Sequence, residues 1–342
     1  MRGMGLAGKY PDMFDAYEAP YEVAELTIDI CVCTYRRPSI EDTLRSLDRQ
    51  TLPDGVSARA IVIDNDETPS ARDRVEAVAA NLSMPVKYIH APANNISIAR
   101  NAGLDAATAQ WIAFIDDDEV AEPDWLASLL QMARVNSLDA VFGPAIAVYP
   151  ETAPNWMRQQ DYHSNVPVRR GGVVQTGHTC NALMRASSPI VKGQRFLIEK
   201  GKTGGEDTEF FFRLWYAGAK FGISEAAIVH EAVDPKRLDS EWIRQRKFRS
   251  GMSFGYHSLT TRNTVTLTIT VLASLAKIVF CYAMAGIFFW STQKRNFWAM
   301  RGVFHRGWLA SAFSRSACWP SSILGRRFSS SSPSSPSSRP SV

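Results

Sequence analysis

Short apolar runs alternate with segments of helical periodicity through the first half of the chain. Five runs are rich in β-branched or aromatic residues and predict strands at residues 26–33, 58–64, 86–90, 111–115 and 140–148. The segments between them carry apolar positions at helical spacing and predict helices at residues 40–52, 71–81, 96–107 and 123–135. Strands separated by single helices indicate βαβ units, so we predict an α/β fold with a Rossmann-like, largely parallel sheet flanked by helices.

The pattern is looser after Pro150. Residues 156–172 are polar and aromatic and predict a long loop, and residues 177–185 predict a strand. A glycine hinge leads into a predicted helix at residues 204–214, and residues 221–230 predict a further strand. Residues 1–25 mix Gly, Pro and charges without periodicity, which predicts a flexible N-terminal arm.

One long apolar segment, residues 265–290, is interrupted only by Lys277. A bilayer span needs ~20 mainly apolar residues, so the length suffices, but a central lysine that faces lipid costs roughly 2.5–3.5 kcal/mol. Two interpretations stay open: one imperfect span, or a pair of shorter helices that lie in the interface or form a re-entrant hairpin. We expect this C-terminal helical segment to associate with a membrane, in preference to being a buried helix of a soluble protein.

Basic residues cluster on both sides of the apolar segment, although the net charge of the chain is only +4. The first group, before the segment, is Arg244, Arg246, Lys247 and Arg249; the second group, after it, is Lys294, Arg295, Arg301 and Arg306. This placement favours an anionic membrane surface or phosphate groups over nucleic acid, with a solvated basic helix face as the alternative. From residue 311 onward Ser, Pro and Arg dominate, which predicts a disordered tail to which we assign no function.

The five cysteines, at positions 31, 33, 180, 281 and 318, form neither a CxxC pair nor a metal-ligand spacing. Residues 1–21 contain no apolar run that resembles a secretory signal. A reducing cytoplasm is therefore the simpler assignment.

Four consecutive acidic residues, 116–119, follow the fourth predicted strand. Such carboxylates repel one another and persist most easily when a cation neutralises them. Asp116 and Asp118 can reach one Mg²⁺ or Mn²⁺ ion while Asp117 points elsewhere, and such an ion typically recruits substrate phosphates. The alternative is an acidic start to the next helix, favoured by the helix dipole.

Other candidate residues also follow predicted strands, where ligands collect in parallel sheets. Asp207, next to glycines and aromatic residues at a helix start, is a candidate general base or simply a helix cap. Asp64 and Asp66 can accept hydrogen bonds from a nucleotide, or form a turn. Arg100 suits a phosphate or a carboxylate of the site. His230 is a candidate metal or phosphate ligand, although a lone histidine after a strand is more often structural.

Six segments in this order resemble the inverting glycosyltransferases of family 2, whose fold is called GT-A. They are CVCTYRRP, VIDND, ISIARNAGL, FIDDDE, GGEDTEF and VHE, and the resemblance runs from about residue 28 to residue 251. It implies that Thr34, Tyr35, Asp64, Asp66, Arg100, Asp116 and Asp117 bind the nucleotide donor. It further implies a divalent cation on Asp116, Asp118 and His230, with Asp118 as the main ligand, and Asp207 as the group that takes the acceptor proton.

The segments ISIARNAG, GHTCNALMR, GGEDTEFF and RKFRSG are most similar to family members that add glucose during assembly of succinoglycan, a bacterial exopolysaccharide built on a lipid carrier. This implies a UDP-hexose donor, UDP-glucose first of all. It also implies a polyprenyl-diphosphate-linked oligosaccharide acceptor, at the cytoplasmic face of the bacterial inner membrane. The QxxRW pattern of processive synthases is absent from WIRQRKFRSG, which favours a single transfer.

We accordingly predict six successive regions along the chain. They are the arm at 1–25, a nucleotide-sugar-binding half at 26–120, an acceptor and catalytic half at 121–235, a basic helical segment at 236–262, a membrane-associated segment at 263–292, and a basic, then Ser/Pro-rich tail at 293–342.

Two other functions stay open. A nucleotidyltransferase shares the nucleotide-binding sheet and the acidic metal ligands, but usually places a Gly-rich loop after the first strand, where this chain has TYRRP. A non-catalytic membrane protein that binds sugar nucleotides would show no metal-dependent release of UDP.

Overall fold

The computed structural model describes residues 25–260 and 264–313; the predicted arm up to residue 24 and the tail beyond residue 313 lie outside it. The strands are β1 (Leu26–Thr34), β2 (Val56–Asp64), β3 (Val86–His90), β4 (Trp111–Asp116), β5 (Glu119–Ala121), β6 (Ala140–Phe142), β7 (Ala145–Val148), β8 (Asn181–Arg185), β9 (Phe221–Ile223) and β10 (Val229–Ala232). The helices are α1 (Ile40–Asp48), α2 (Arg72–Ala79), α3 (Ile96–Ala106), α4 (Trp125–Val135), α5 (Asn155–Gln160), α6 (Glu206–Tyr216), α7 (Ser240–Thr260), α8 (Thr264–Ile287) and α9 (Thr292–Phe313). Single 3-10 turns lie at Ile198–Lys200 and Pro235–Arg237.

The central sheet has the strand order β3–β2–β1–β4–β8–β6–β9. Of these strands only β8 runs antiparallel to its neighbours. A second sheet, β5–β10–β7, begins directly after β4. The prediction of an α/β fold with a largely parallel sheet is confirmed.

Helices cover both faces of the central sheet because successive side chains of each buried strand point to opposite sides. On one face Ile30 of β1 packs in a cluster with Leu44 of α1 and Trp125 of α4. On the other face the adjacent Cys31 packs in a cluster with Ala99 of α3 and Phe211 of α6. Burial on both faces explains why β1 is an almost uninterrupted apolar run in the sequence.

Two stretches predicted as single strands, residues 140–148 and 221–230, are each divided between the two sheets. The Asn181 side-chain amide donates to the carbonyl oxygens of Pro144, at 3.0 Å, and of Ala227, at 2.7 Å, where the chain changes sheet. Pro144 has no N–H group to continue the ladder. A Cβ at Gly143 would lie 2.2 Å from the Ala227 oxygen, so only glycine fits there. The single-strand predictions were wrong for this reason.

The apolar segment forms one uninterrupted helix, α8, about 36 Å long at 1.5 Å per residue. Among the described residues, Val265–Ile287 is long and apolar enough, by length and composition, to cross a membrane, with a mean hydropathy of 1.9. Only 11% of its most apolar 18-residue stretch is buried. Lys277 is exposed near its centre. The alternative of two shorter helices within this segment is therefore wrong, and the basic residues that follow form α9. The predicted loop at residues 156–172 begins with the short helix α5.

Helices α7 and α9 approach each other closely along a seam of glycines. A Cβ at Gly251 would lie 2.1 Å from the Phe304 carbonyl oxygen, and a Cβ at Gly307 would lie 2.1 Å from the Phe248 carbonyl oxygen. No larger residue fits at either position, so the two backbones are in direct contact. Helix α9 also packs against α8, and thereby joins α7 to the apolar helix.

Candidate active site

The three aspartates at the end of β4 point in different directions. Asp117 is buried and accepts hydrogen bonds from the Thr34 hydroxyl, at 2.7 Å, and the Tyr35 N–H group, at 3.4 Å. Asp116 and Asp118 instead line an open cleft. As the spacing predicts, the middle carboxylate turns away from the other two and fixes the loop after β1.

Two arginines neutralise Asp118 in this structure. The Arg37 guanidinium makes a close ion pair with Asp118 and lies 3.2 Å from Asp117, and Arg237 lies 3.7 Å from Asp118. Arg237 is also paired with Glu231 of β10, which lines the same cleft. Our sequence interpretation missed Glu231, although it directly follows His230 in the VHE segment.

The structure does not bring His230 to the acidic cluster. Its Nε2 atom lies 2.6 Å from the carboxylate of Glu122. Neighbouring residues of a strand face opposite sides, so when Glu231 faces the cleft His230 faces away from it. The assignment of His230 as a metal ligand is therefore corrected: Glu231 is the β10 side chain placed beside Asp118.

Several carboxylates lie close enough in the acidic cluster to repel one another, although arginines surround them. Desolvation within the cleft raises the pKa of Asp116 to about 7, and repulsion from Asp118 and Asp117 adds to the rise, against the attraction of Arg100. Burial likewise raises the pKa of Glu119 well above its usual range, and its Oε1 atom has no hydrogen-bond partner among the described residues. Like charges of this kind favour a bound cation.

The donor set fits a hard divalent cation, although the described residues contain no preassembled group of three carboxylate, imidazole or thiol ligands. Asp116, Asp118 and Glu231 all offer carboxylate oxygens to one cleft. The side chain of Asp116 is 45% exposed and that of Arg37 is 41% exposed, so a cation has access and Arg37 has room to move aside.

The two acidic stretches of the sequence meet at Arg100. This buried guanidinium makes a close ion pair with Glu206, the residue before Asp207, and lies 3.9 Å from Asp116. Burial raises the pKa of Cys180 well above its usual range, and the carboxylates of Glu119, Asp116 and Asp207 add to the rise. Arg100 therefore links the first turn of α6 to the end of β4.

Asp207 is held by two neighbours at the start of α6. Its Oδ1 atom accepts a hydrogen bond from the Thr208 N–H group at 2.6 Å, and its Oδ2 atom lies 2.9 Å from Nδ1 of His178. Burial alone would raise the pKa of Asp207, but His178 and Arg100 outweigh it and lower that pKa. Burial alone would lower the pKa of His178, but Asp207 outweighs it and raises that pKa. Sequence reasoning missed His178, whose only signal was a polar residue before the strand in GHTCN.

Asp64 and Asp66 are buried, and both carboxylates already have hydrogen-bond or ion-pair partners within the protein. Asp64 accepts hydrogen bonds from the N–H groups of Asp66 and Ala71, at 3.1 and 2.8 Å, and from the Tyr88 hydroxyl at 2.7 Å. Asp66 is paired with Arg36 at 2.8 Å. These contacts shape the loop after β2, and the binding of a nucleotide by the two carboxylates stays a prediction.

Helix α7 supplies a cationic wall opposite the carboxylates. Arg246 and Arg249 line the cleft together with Trp242. Burial, and then the positive charge of Arg237, lower the pKa of Arg246, whose guanidinium donates to the His163 carbonyl oxygen at 3.4 Å. Cations at this position face the negative cluster across a gap, which suits an anionic ligand between them.

Two family models match the chain. Residues 29–188 match the family model "Glycosyl transferase family 2", and residues 111–323 match "Glycosyl transferase family group 2". The chain belongs to glycosyltransferase family 2. The family predicted from the six motifs is confirmed, and neither the nucleotidyltransferase nor the non-catalytic alternative is supported by these matches.

Relatives of this family 2 glycosyltransferase include the succinoglycan biosynthesis protein ExoM of Rhizobium meliloti, which is 44% identical over 82% of the chain and 91% of that protein. The glucosyl-dolichyl phosphate glucuronosyltransferase of Haloferax volcanii is 29% identical over 40% of the chain and 41% of that protein. The mannosyltransferase PcManGT of Pyrobaculum calidifontis was solved with GDP-Man and Mn²⁺. Its structure aligns over 84% of this chain and 87% of the PcManGT chain, with a TM-score of 0.57 and 14% sequence identity. That likeness shows a shared fold, and the predicted GT-A architecture is confirmed.

Proposed function

We propose that this enzyme transfers one hexose, glucose first of all, from a UDP-sugar to a lipid-linked oligosaccharide during assembly of a succinoglycan-type exopolysaccharide. The observation that carries the proposal is the convergence of both acidic stretches on Arg100, which lies 3.9 Å from Asp116, is ion-paired with Glu206 and lowers the pKa of Asp207. The similarity to ExoM supports the pathway, and the motif resemblance supports the donor and the inverting outcome.

The nucleotide donor binds along the ends of β1 and β4 in this proposal. Thr34 and Tyr35 form the wall that Asp117 fixes, while Asp64 and Asp66 keep the adjoining loop in shape. The diphosphate of the donor then lies between the carboxylate cluster and the α7 wall. Guanidinium groups bind phosphate oxygens through paired, charge-assisted hydrogen bonds, which is the contact that Arg246 and Arg249 offer.

A divalent cation, Mg²⁺ or Mn²⁺, completes the donor site. Asp116 and Asp118 would hold it, with Glu231 beside them. When bound, the cation neutralises the charge that develops on the departing nucleotide. Before it binds, Arg37 has to release Asp118, because guanidinium and cation compete for the same carboxylate. The Mn²⁺ in the PcManGT complex supports this choice of cofactor.

Asp207 takes the proton of the acceptor hydroxyl. The Thr208 N–H group binds its Oδ1 atom and Nδ1 of His178 lies 2.9 Å from its Oδ2 atom, so Oδ2 receives the proton when His178 is neutral. The acceptor oxygen then attacks the anomeric carbon from the face opposite the nucleotide, and the C–O bond to the diphosphate breaks. One such displacement inverts the configuration and converts an α-linked donor into a β-glycoside.

The acceptor is carried on a polyprenyl diphosphate at the cytoplasmic face of the bacterial inner membrane in this proposal. The exposed apolar surface of α8 and the basic residues of α7 and α9 suit a membrane with anionic headgroups. A relative named for a dolichyl phosphate substrate supports a lipid-linked acceptor.

The decisive experiment is a transfer assay on membranes that contain the full chain, against a panel of UDP-sugars with Mg²⁺, Mn²⁺ or EDTA. We expect metal-dependent UDP release and one β-linked hexose added to the lipid-linked product. Equal UDP release with EDTA and with metal would contradict the cofactor assignment. Absence of any transfer across the donor panel would contradict the function.

A further inference from the structure

A second cavity lies where α5, α7 and α9 meet, outside the catalytic cleft. It has a volume of about 360 Å³ and is lined by polar and aromatic groups from all three regions. Three of its lining residues are basic: Lys247 on α7, and Arg301 and His305 on α9. None of the residues lining it is acidic, which distinguishes it from the catalytic cleft.

The basic groups of this cavity rest on aromatic rings. Lys247 lies over Tyr162 with 5.6 Å from its ammonium nitrogen to the ring centroid, and Arg301 lies over Phe297 at 5.3 Å. Such contacts hold a cation in place but do not cancel its charge. Neither group has an ion-pair partner among the residues that the structure describes.

The surroundings add positive charge to the cavity. Burial lowers the pKa of His305, and the nearby charges of Lys277 and Arg301 lower it further. Burial also lowers the pKa of Lys247, with Arg246 adding to the effect. The carboxylate within range of Lys247 is Asp161, which does not line the cavity and accepts hydrogen bonds from a tyrosine hydroxyl and a backbone amide, both at 3.3 Å. Lys247 and Arg301 have no ion-pair partner among the described residues, so together they favour a multiply charged anion, whose charge would also favour the protonated form of His305.

The position of the cavity indicates what kind of anion it takes. One wall is α9, which packs against the exposed apolar helix α8, so an occupant has apolar surface beside it. The other wall is α7, whose residue Arg246 lines the catalytic cleft while the next residue, Lys247, lines this cavity. The two sites are thus separated by about the 10–12 Å width of one helix, a span that a short oligosaccharide can bridge.

We propose that this cavity binds the diphosphate of the lipid-linked acceptor, with the polyprenyl chain along α8 and the saccharide reaching over α7 to Asp207. This inference rests on the proposed function for the identity of the lipid, but the site itself stands on Lys247, Arg301 and His305. The same chemistry is present in a phospholipid headgroup, so the test has to separate the two sources.

The test measures binding of farnesyl diphosphate to the full chain in detergent, with farnesol as the uncharged probe. Two double variants remove the same charge from the same two helices. Lys247→Gln with Arg301→Gln changes the cavity, whereas Arg244→Gln with Arg306→Gln changes a neighbouring groove between α7 and α9. We expect the first pair to weaken farnesyl diphosphate binding about 10- to 100-fold, and the control pair to weaken it less than threefold. Farnesol binding should be equal in all three proteins.

Equal weakening by the two pairs would show a general charge effect and overturn the site. Competition of farnesyl diphosphate with phosphatidylglycerol micelles or with inorganic diphosphate identifies which phosphate-containing ligand the cavity prefers. Displacement of the probe by phosphatidylglycerol at equal concentration would overturn the acceptor assignment in favour of a phospholipid. Inability of a large excess of inorganic diphosphate to displace the probe would overturn phosphate recognition.

The failure of this inference is distinguishable from the failure of the proposed function. Asp207→Asn should lose transfer but bind farnesyl diphosphate like the parent. The cavity variant should keep donor binding and lose affinity for the lipid-linked acceptor, seen as a raised KM for that acceptor. A cavity variant with an unchanged acceptor KM in an active enzyme would overturn the inference and leave the proposed function intact.

Discussion

Replacing Asp207 with Asn tests the catalytic assignment most directly. The amide keeps the shape of the carboxylate, its oxygen can still accept from the Thr208 N–H group, and its NH₂ group can donate to neutral His178. The start of α6 should therefore fold unchanged, and only proton acceptance is lost. General-base assistance is typically worth ~10²–10⁴ in rate.

The environment of Asp207 sets where in this range the loss should fall. Because His178 and Arg100 lower its pKa, Asp207 is a weaker base than a free carboxylate, and weaker bases contribute less. We expect a fall in kcat of about 10²–10³, or roughly 2.7–4 kcal/mol on the barrier. The KM for the donor should change little, since the proposed donor contacts lie at the ends of β1 and β4.

The assay is steady-state UDP release with the lipid-linked acceptor, together with titration of donor binding. Glu209→Gln is the matched control: it removes a carboxylate two residues further along α6, where Glu209 is paired with Arg213 at 2.9 Å and not with cleft residues. Its kcat should stay within about threefold of the parent. A kcat for Asp207→Asn within tenfold of the control would refute Asp207 as the base, and an equal loss in both variants would show a structural effect on α6.

Four further results are expected. Turnover should rise with pH above 6.5, because the imidazolium of His178, whose pKa is raised, then loses its proton and frees the carboxylate of Asp207. The pH–rate profile of His178→Gln should lack this rise, and a profile unchanged from the parent would contradict the role of His178 in the pH dependence. Asp118→Asn should raise the Mn²⁺ concentration for half-maximal activity at least tenfold, and an unaltered metal titration would remove Asp118 from the cation site. Glu231→Gln should shift the same titration while His230→Gln should not, because only the former faces the cleft; the reverse order would restore the histidine as a ligand. Lys277→Leu should strengthen vesicle co-sedimentation by about 10²-fold if α8 enters the bilayer, and no change would place the lysine outside the hydrocarbon.

The first four strands and the helices between them were predictable because local pattern and tertiary role agree there. Ile30 and the adjacent Cys31 are buried on opposite faces of the sheet, so the run is apolar apart from Asp29 and its boundaries are clear. The change of sheet at Gly143 was not predictable, since it depends on Asn181 from a distant strand. A local pattern carries no information on that contact.

In the candidate site, too, some features follow from the local sequence and others depend on contacts with distant residues. The divergence of Asp116 and Asp117 follows from local spacing, and the structure agrees with it. The role of His178 depends on a hydrogen bond to a residue on another element, and GHTCN alone gives no sign of it. The choice between Glu231 and His230 depends on which face of β10 meets the cleft, and the motif VHE leaves that unresolved.

The glycine contacts between α7 and α9 bear on how a soluble fragment of this enzyme should be designed. Cutting the chain before α8 would remove the exposed apolar helix. It would also remove α9, whose backbone is in direct contact with Gly251 of α7. Helix α7 would then expose its glycine seam to water. It would also lose the packing that positions Arg246 and Arg249 in the cleft. Detergent or nanodisc preparations of the intact polypeptide are accordingly the better starting material for crystallography and kinetics alike.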